Sequence, residues 1–136
     1  METTKIFSIN EVGQRSGRVY DGKFTVKTLL NRRENFIADE RRRFIVGSNS
    51  QGVAPSLSGE AYILGQLSVR IVESPKWWTE SDNGLDLPDE NIIGTIFKLM
   101  EEKVAEFEAE VKGQAKTSLE KLTKSATKRI AAEKED

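Results

Sequence analysis

A repeating apolar pattern in the C-terminal half of the chain places the strongest constraint on its fold. The apolar residues there are separated alternately by four and three positions, a spacing that puts them on one face of an α-helix. They are Ile93, Phe97, Met100, Val104, Phe107 and Val111. Pro88 and two acidic residues precede them, as is typical of a helix start. The pattern predicts a helix over residues 89–112 with one face packed against another element.

Two earlier segments also have helical spacing. Residues 58–74 carry apolar side chains around most of the helix, which is typical of a central, buried helix, and Pro75 disfavours its continuation. Residues 29–46 predict an amphipathic helix with a charged face, capped by Thr28 at its start and ended by Gly47. The apolar positions of this helix are Leu29, Leu30, Phe36, Ile37 and Phe44. An amphipathic helix of this kind packs its apolar face against the rest of the domain.

The N-terminal third is rich in β-forming residues. Residues 5–9 have the composition of a strand, and residues 11–17 that of a polar loop punctuated by glycine. Asp21 and Gly22 then lie between two short runs of β-forming residues. An Asp-Gly pair in that setting favours a tight hairpin turn, because both residues tolerate positive φ angles. The sequence therefore predicts a small hairpin over residues 18–27.

Length and composition indicate a single small domain. The chain has 136 residues, of which 37% are hydrophobic, enough for one modest core. The predicted fold is α+β and mostly α, with the small N-terminal β-hairpin followed by three helices, all within residues 1–112. Residues 113–136, which begin at Gly113, keep a helical rhythm among many lysines. They predict a charged helical tail that becomes ordered mainly when another element packs on it.

The composition removes most routes to catalysis. The chain has no cysteine and no histidine, which excludes thiolate nucleophiles, cysteine zinc sites and the commonest general base. Because it also lacks a nucleophile elbow, a phosphate-binding loop and a dinucleotide-binding motif, we expect no enzyme and no cofactor or metal. Five residues of the acidic run could offer oxygen ligands to calcium, but their spacing differs from that of an EF-hand loop. They are Asp82, Asn83, Asp86, Asp89 and Glu90. The acidic run is better interpreted as a solvated loop that caps the following helix.

Charge is nearly balanced, with a formal net charge of −1, which argues against a dedicated nucleic-acid binder. Five arginines nevertheless cluster in the predicted amphipathic helix: Arg32, Arg33, Arg41, Arg42 and Arg43. Acidic residues three and four positions away favour a salt-bridged helix face. If the cluster instead has a partner, the acidic region at residues 73–90, which contains Asp82 and Asp86, is complementary to it. Such patches can form head-to-tail contacts between subunits.

Trp77 and Trp78 stand together in a chain whose residues are only 7% aromatic. One interpretation is that they cover the small core where the central helix ends. The other is that they anchor an interface, because tryptophan is enriched at binding hot spots. The sequence leaves both interpretations open.

The order of these elements resembles that of small proteins encoded by tailed bacteriophages, especially tail assembly chaperones. The resemblance covers residues 18–112. It consists of the hairpin segment leading into the arginine-rich helix, the apolar helix at residues 61–72, the Pro-Lys-Trp-Trp segment at residues 75–78 and the Asp-Leu-Pro helix start. It implies a non-enzymatic morphogenesis factor that acts in the host cytoplasm during assembly. Such chaperones coat the helical tape-measure protein and help to recruit tail-tube subunits.

Under this resemblance, an apolar seam would receive a client helix or a sister subunit, and Trp77 and Trp78 would border that groove. The seam consists of Ile93, Phe97, Met100, Val104 and Phe107. Self-association is expected, but contact with a membrane is not, because no segment reaches the roughly 18 apolar residues of a membrane span. A structural protein of the virion fits the same observations. A small DNA-associated phage protein is a third interpretation, based on the arginines and the lysine-rich tail.

Overall fold

The structure is a computed structural model that describes residues 3–47 and 55–134. Strands β1 (Thr4–Val12) and β2 (Val19–Lys27) pair in antiparallel fashion along their whole length. A short strand, β3 (Ile71–Glu73), pairs in antiparallel fashion with the other side of β2. The sheet order is therefore β1-β2-β3, with β2 in the centre. The predicted class, a mixed and mostly helical α+β fold with an N-terminal hairpin, is confirmed.

The hairpin turns at a different place from the one predicted. The chain reverses in the glycine-containing loop after β1, where the Gly17 amide donates to the Gly13 carbonyl over 2.9 Å. Asp21 and Gly22 lie inside β2, so the prediction of a turn there was wrong. Gly22 has a φ of +152°, and a Cβ at this position would overlap the ring of Pro75. The glycine therefore lets Pro75 approach β2 closely. Glycine inside a strand is typical of such close contacts.

The amphipathic helix, α1 (Arg32–Val46), begins later than predicted. Asn31 caps it, because its side chain accepts from the Glu34 amide while the Glu34 carboxylate accepts from the Asn31 amide. Thr28, the predicted cap, is instead buried, and its hydroxyl donates to a backbone carbonyl next to β1. The helix ends at Gly47 as predicted, with a φ of +83°.

The central helix, α2 (Pro55–Arg70), ends earlier than the predicted boundary at residue 74. The next three residues form β3, because pairing with β2 satisfies their backbone groups before Pro75 is reached. The buried apolar side chains of α2 include Ala61, Leu64 and Leu67. One side of the helix packs on α1 and another contacts α4, which agrees with a central position.

The acidic segment predicted as a loop contains a short helix, α3 (Lys76–Glu80). Turns follow it, and Asp82 and Asn83 adopt positive φ angles of 54° and 53° there. Both residue types tolerate this conformation better than other non-glycine residues. The buried Ser81 hydroxyl donates to one backbone carbonyl and accepts from one backbone amide, which fixes the turn.

The last helix, α4 (Glu90–Lys134), has 45 residues and joins two segments that were predicted as separate. It continues through Gly113 without a break, so the predicted boundary between domain and tail is not an end of secondary structure. At about 1.5 Å per residue the helix is about 67 Å long, much longer than the sheet it contacts.

The core lies between one face of the sheet and the helices. Alternate residues of β1 and β2 are buried while their neighbours face solvent, as in an antiparallel sheet covered on one side. The largest fully buried apolar side chains are Trp78, Phe24, Leu67, Ile92, Ile96 and Val26. The core thus draws on the sheet, α2, α3 and the first part of α4.

Candidate functional site

Trp78 is part of the core. Its side chain is 0% exposed, and its ring meets the ring of Phe24 edge-on with 5.8 Å between centroids. Its indole nitrogen is buried and has no hydrogen-bond acceptor among the described residues. Because no part of this side chain reaches the surface, the prediction that Trp78 anchors a partner is wrong for this conformation.

Trp77 lies at the edge of the same aromatic cluster. Its ring packs edge-on against Tyr20 and Phe24, with centroid distances of 5.0 and 5.7 Å. Its indole nitrogen donates to the Asp21 carbonyl over 3.0 Å. The side chain is half-buried, so only its uncovered edge is open to a partner. Its contacts tie α3 to β2, and its part in an interface stays a prediction.

The predicted apolar seam faces the protein's own core along much of its length. Ile93, Met100 and Phe107 are buried, and Phe97 and Val104 are half-buried against the core. The prediction of an open groove along the whole seam was therefore wrong, because the sheet and α2 already cover most of it. Sequence spacing identified the buried face of this helix but not the element that covers it.

A smaller groove remains between α2 and α4. It has a volume of about 280 Å³, and its apolar lining includes Phe97 and Val104 of the seam. Tyr62, which is 53% exposed, lies at its rim. Arg70 also lines it; burial lowers the pKa of this arginine, and its guanidinium donates to the Lys27 carbonyl over 3.0 Å.

The apolar positions that the sequence predicted within α1 point to solvent, contrary to the expectation that they pack against the domain. Phe36, Ile37 and Phe44 are 68%, 46% and 70% exposed. They define an exposed surface, here called the outer face of α1, together with two charged residues at helical spacing. The outer face consists of Arg33, Phe36, Ile37, Glu40 and Phe44. Large exposed apolar patches are typical of interaction surfaces in other proteins.

Small residues explain why α1 packs with its other face inward. A Cβ on Gly65 of α2 would lie 2.5 Å from the backbone oxygen of Ala38 in α1. Ala38 is the buried residue of α1. The two helices therefore approach through backbone and small side chains. Phe36, Ile37 and Phe44 are left on the opposite side, whereas Ile45 packs against the core.

The arginine cluster is largely neutralised within the chain. Arg42 and Arg43 pair with Asp39 at 2.9 and 2.5 Å. Both hydrogen bonds lower the pKa of Asp39, and the one from Arg43 has the larger effect. Arg41 pairs with the Asp82 carboxylate at 3.1 Å, so the predicted complementarity between cluster and acidic region is met inside one molecule. Within the described residues, ion pairs are absent from Arg32, Arg33 and Asp86.

Asp89 is a buried carboxylate whose role the sequence did not reveal. It is 0% exposed and accepts hydrogen bonds from the amides of Arg15 and Ser16 and from the hydroxyls of Ser16 and Tyr20. Burial alone would raise its pKa, but these hydrogen bonds outweigh burial and hold the pKa well below its usual range. Asp89 thus fastens the β1–β2 turn to the start of α4.

A recess of about 350 Å³ opens beside the start of α4. Its walls are mostly apolar, and include Ile45, Leu64, Leu85, Leu87 and Ile93. Glu60 and Glu90 add carboxylates; burial raises the pKa of Glu60, and the charge of Glu90 raises it further. Within residues 3–47 and 55–134, no group of three or more candidate ligands could hold a metal ion.

Comparisons with known proteins give no relative. No protein-family model matches the chain, and neither curated proteins nor solved structures give a match. In the part of the chain that the structure describes, no helix is both long enough and apolar enough to cross a membrane.

Proposed function

We propose that this protein is a non-enzymatic assembly factor that acts through protein–protein contacts, as a tail assembly chaperone of a tailed bacteriophage. The observation that carries the proposal is the projecting part of α4. Phe107, which is 5% exposed, is the last buried side chain of α4 within residues 90–125. Three residues later Glu110 still pairs with Lys5 of β1 at 2.7 Å, whereas the helix continues to Lys134. Every side chain at residues 108–125 is exposed. A projecting helix of this length is a surface for another protein.

The projecting helix carries an apolar stripe. Val111, Leu119 and Leu122 are 37%, 66% and 68% exposed, and their spacing puts them on one side of the helix. Isolated helices are marginal in water, and an apolar stripe gains stability when another helix covers it. The stripe therefore fits a helical client, the kind of partner that a chaperone of a tape-measure protein covers.

The test substitutes two leucines of the stripe and counts the tailed particles that form. The double variant Leu119→Asp, Leu122→Asp puts two negative charges on the stripe. The control, Thr117→Asp with Lys124→Gln, changes the net charge by the same amount at exposed positions on the opposite side of the helix. We expect the stripe variant to reduce tailed particles by about tenfold or more in complementation of a gene deletion, because two leucines lose their burial against the client. The control should form tails normally. Equal tail counts for both variants would contradict the proposal.

A structural protein of the virion is the second candidate, favoured by the exposed outer face of α1, which suits permanent contact with neighbouring subunits. Quantitative mass spectrometry of purified particles separates the two. A chaperone is absent from mature particles although tails require it, whereas a structural protein is present in fixed ratio to tail or head proteins. The DNA-associated alternative is less favoured, because Arg41, Arg42 and Arg43 are already paired with carboxylates.

A further inference from the structure

We propose that the outer face of α1 forms a symmetric homodimer, in which the α1 helices of two copies pack antiparallel about a two-fold axis. This inference is independent of the proposed function and rests on two properties of the face. It exposes large apolar side chains, and its charges are arranged so that the face is complementary to itself.

The apolar centre of the face is formed by Phe36 and Ile37. Phe36 is 68% exposed, which is unusual among the six phenylalanines of the chain. Four of the other five lie in the core or along the seam of α4. The remaining one is Phe44, on the same face and 70% exposed. Covering these rings removes them from water, which is the main driving force of association between proteins.

The charges on the face select a second copy as the partner. Arg33 lies three positions before Phe36, and Glu40 lies three positions after Ile37. A two-fold axis between Phe36 and Ile37 therefore brings Arg33 of each copy opposite Glu40 of the other. The same axis sets Phe36 against Ile37 and brings Phe44 over the start of the partner helix, where Leu29 is 62% exposed.

The two charges that the axis would pair are both available to a partner molecule. Among the described residues, neither Arg33 nor Glu40 has an ion-pair partner. The neighbouring Arg41, Arg42 and Arg43 are each paired with an aspartate. The dimer would thus contain two symmetric arginine–glutamate pairs at the two ends of an apolar centre.

Charge reversal on the full-length chain tests this arrangement by analytical ultracentrifugation. Arg33→Glu and Glu40→Arg each set like charges opposite one another twice, so each should raise the dimer dissociation constant by about tenfold or more. The double variant Arg33→Glu, Glu40→Arg restores both pairs and should dimerise as the wild type does. A mixture of the two single variants should form a heterodimer, because both pairs re-form between unlike copies.

The control is Arg32→Glu, which makes the same charge change on an exposed neighbour outside the face and should leave the dimer intact. All variants are compared by circular dichroism to verify folding, and also in the Leu119→Asp, Leu122→Asp background, where association through α4 is blocked. A wild-type chain that is monomeric overturns the proposal, as does a dimer that both single variants leave intact. A double variant as monomeric as the single ones, or a mixture that stays monomeric, overturns the two-fold pairing.

Discussion

At Asp89 a single carboxylate joins two distant parts of the chain. The turn between β1 and β2 donates two amides and one hydroxyl to it, and Tyr20 of β2 donates a second hydroxyl. Because the carboxylate is removed from water, no solvent replaces a lost donor, and loss of any one of the four leaves the charge less well compensated. We therefore expect the loss of a donor to weaken the attachment of the β1–β2 hairpin to the start of α4.

Removing the Tyr20 hydroxyl measures this attachment. Tyr20→Phe keeps the ring in its aromatic cluster but removes the 2.7 Å hydrogen bond to Asp89. We expect the free energy of unfolding in urea to fall by about 1–3 kcal/mol, the usual range for a hydrogen bond to a buried charge. Tyr62→Phe is the matched control, because Tyr62 is 53% exposed and its hydroxyl has no hydrogen-bond partner among the described residues. Equal effects of the two substitutions would contradict the role of Asp89.

The lowered pKa of Asp89 also predicts how stability depends on pH. A carboxyl whose pKa is lower in the folded than in the unfolded chain binds fewer protons when folded. Its contribution is complete above the unfolded pKa, about 4, and is lost as the pH falls below that value. The pKa values of Glu34 and Asp39 are lowered too, by hydrogen bonds from Lys27 and Arg43 respectively, and act in the same direction.

The measurement is the free energy of unfolding between pH 7 and pH 2. Because the chain has no histidine, the acid branch reports on carboxyl groups. Asp89→Asn should start less stable at pH 7 and lose less stability on acidification than the wild type. Parallel acid branches for the two proteins would contradict the assigned pKa shift.

At the scale of elements, the periodicity of the sequence predicted that helices exist but not how they are oriented. Spacing in α1 predicted a helix that ends at Gly47, and both features are present. It could not show that Gly65 of α2 admits the backbone of α1 at Ala38. That approach turns the side with small residues inward, so Phe36 and Phe44 face solvent. Hydrophobic periodicity reports a stripe, whereas the element that covers it depends on residues elsewhere in the chain.

The misplaced hairpin turn has the same kind of cause. Asp-Gly is a strong local turn signal, but here Gly22 sits in mid-strand because the ring of Pro75 occupies the space where a side chain would be. Pro75 is remote in sequence, so the local pattern could not distinguish the two uses of glycine. Trp78 could be placed in the core only once the sheet and α3 were positioned together.

The contact between α1 and α2 predicts contrasting effects of two glycine substitutions in the same helix. Gly65→Ala puts a methyl group 2.5 Å from the Ala38 oxygen and forces the helices apart. We expect a loss of about 1–3 kcal/mol in the free energy of unfolding, the usual cost of overpacking. Gly59→Ala meets nothing within 4 Å and should be neutral or stabilising by up to about 1 kcal/mol. Chemical denaturation of both variants checks this; a Gly65→Ala variant as stable as Gly59→Ala would show that the helices are not in close contact.

At the scale of the whole molecule, α4 has two parts in different environments. Its first part buries Ile92, Ile96 and Met100 in the core, and its later part is exposed along residues 108–125. The sequence predicted an apolar seam here, and also a boundary between domain and tail at Gly113. Because a single glycine lowers helix propensity by only about 1 kcal/mol, the helix continues through it. The division between domain and projection is therefore one of burial and not of secondary structure.

This division predicts that the domain is stable without the projection. A chain truncated after Lys112 keeps Phe107, the last buried side chain of α4 within residues 90–125. It loses only side chains that are exposed where the structure describes them. We expect its thermal midpoint to shift by less than about 4 °C, equivalent to about 1 kcal/mol, in differential scanning calorimetry. Since the outer face of α1 is untouched, the truncated chain should still dimerise, yet it should fail to support tail formation because the client surface is missing. A much lower midpoint would mean that the projection folds back on the domain, and loss of the dimer would place self-association on α4.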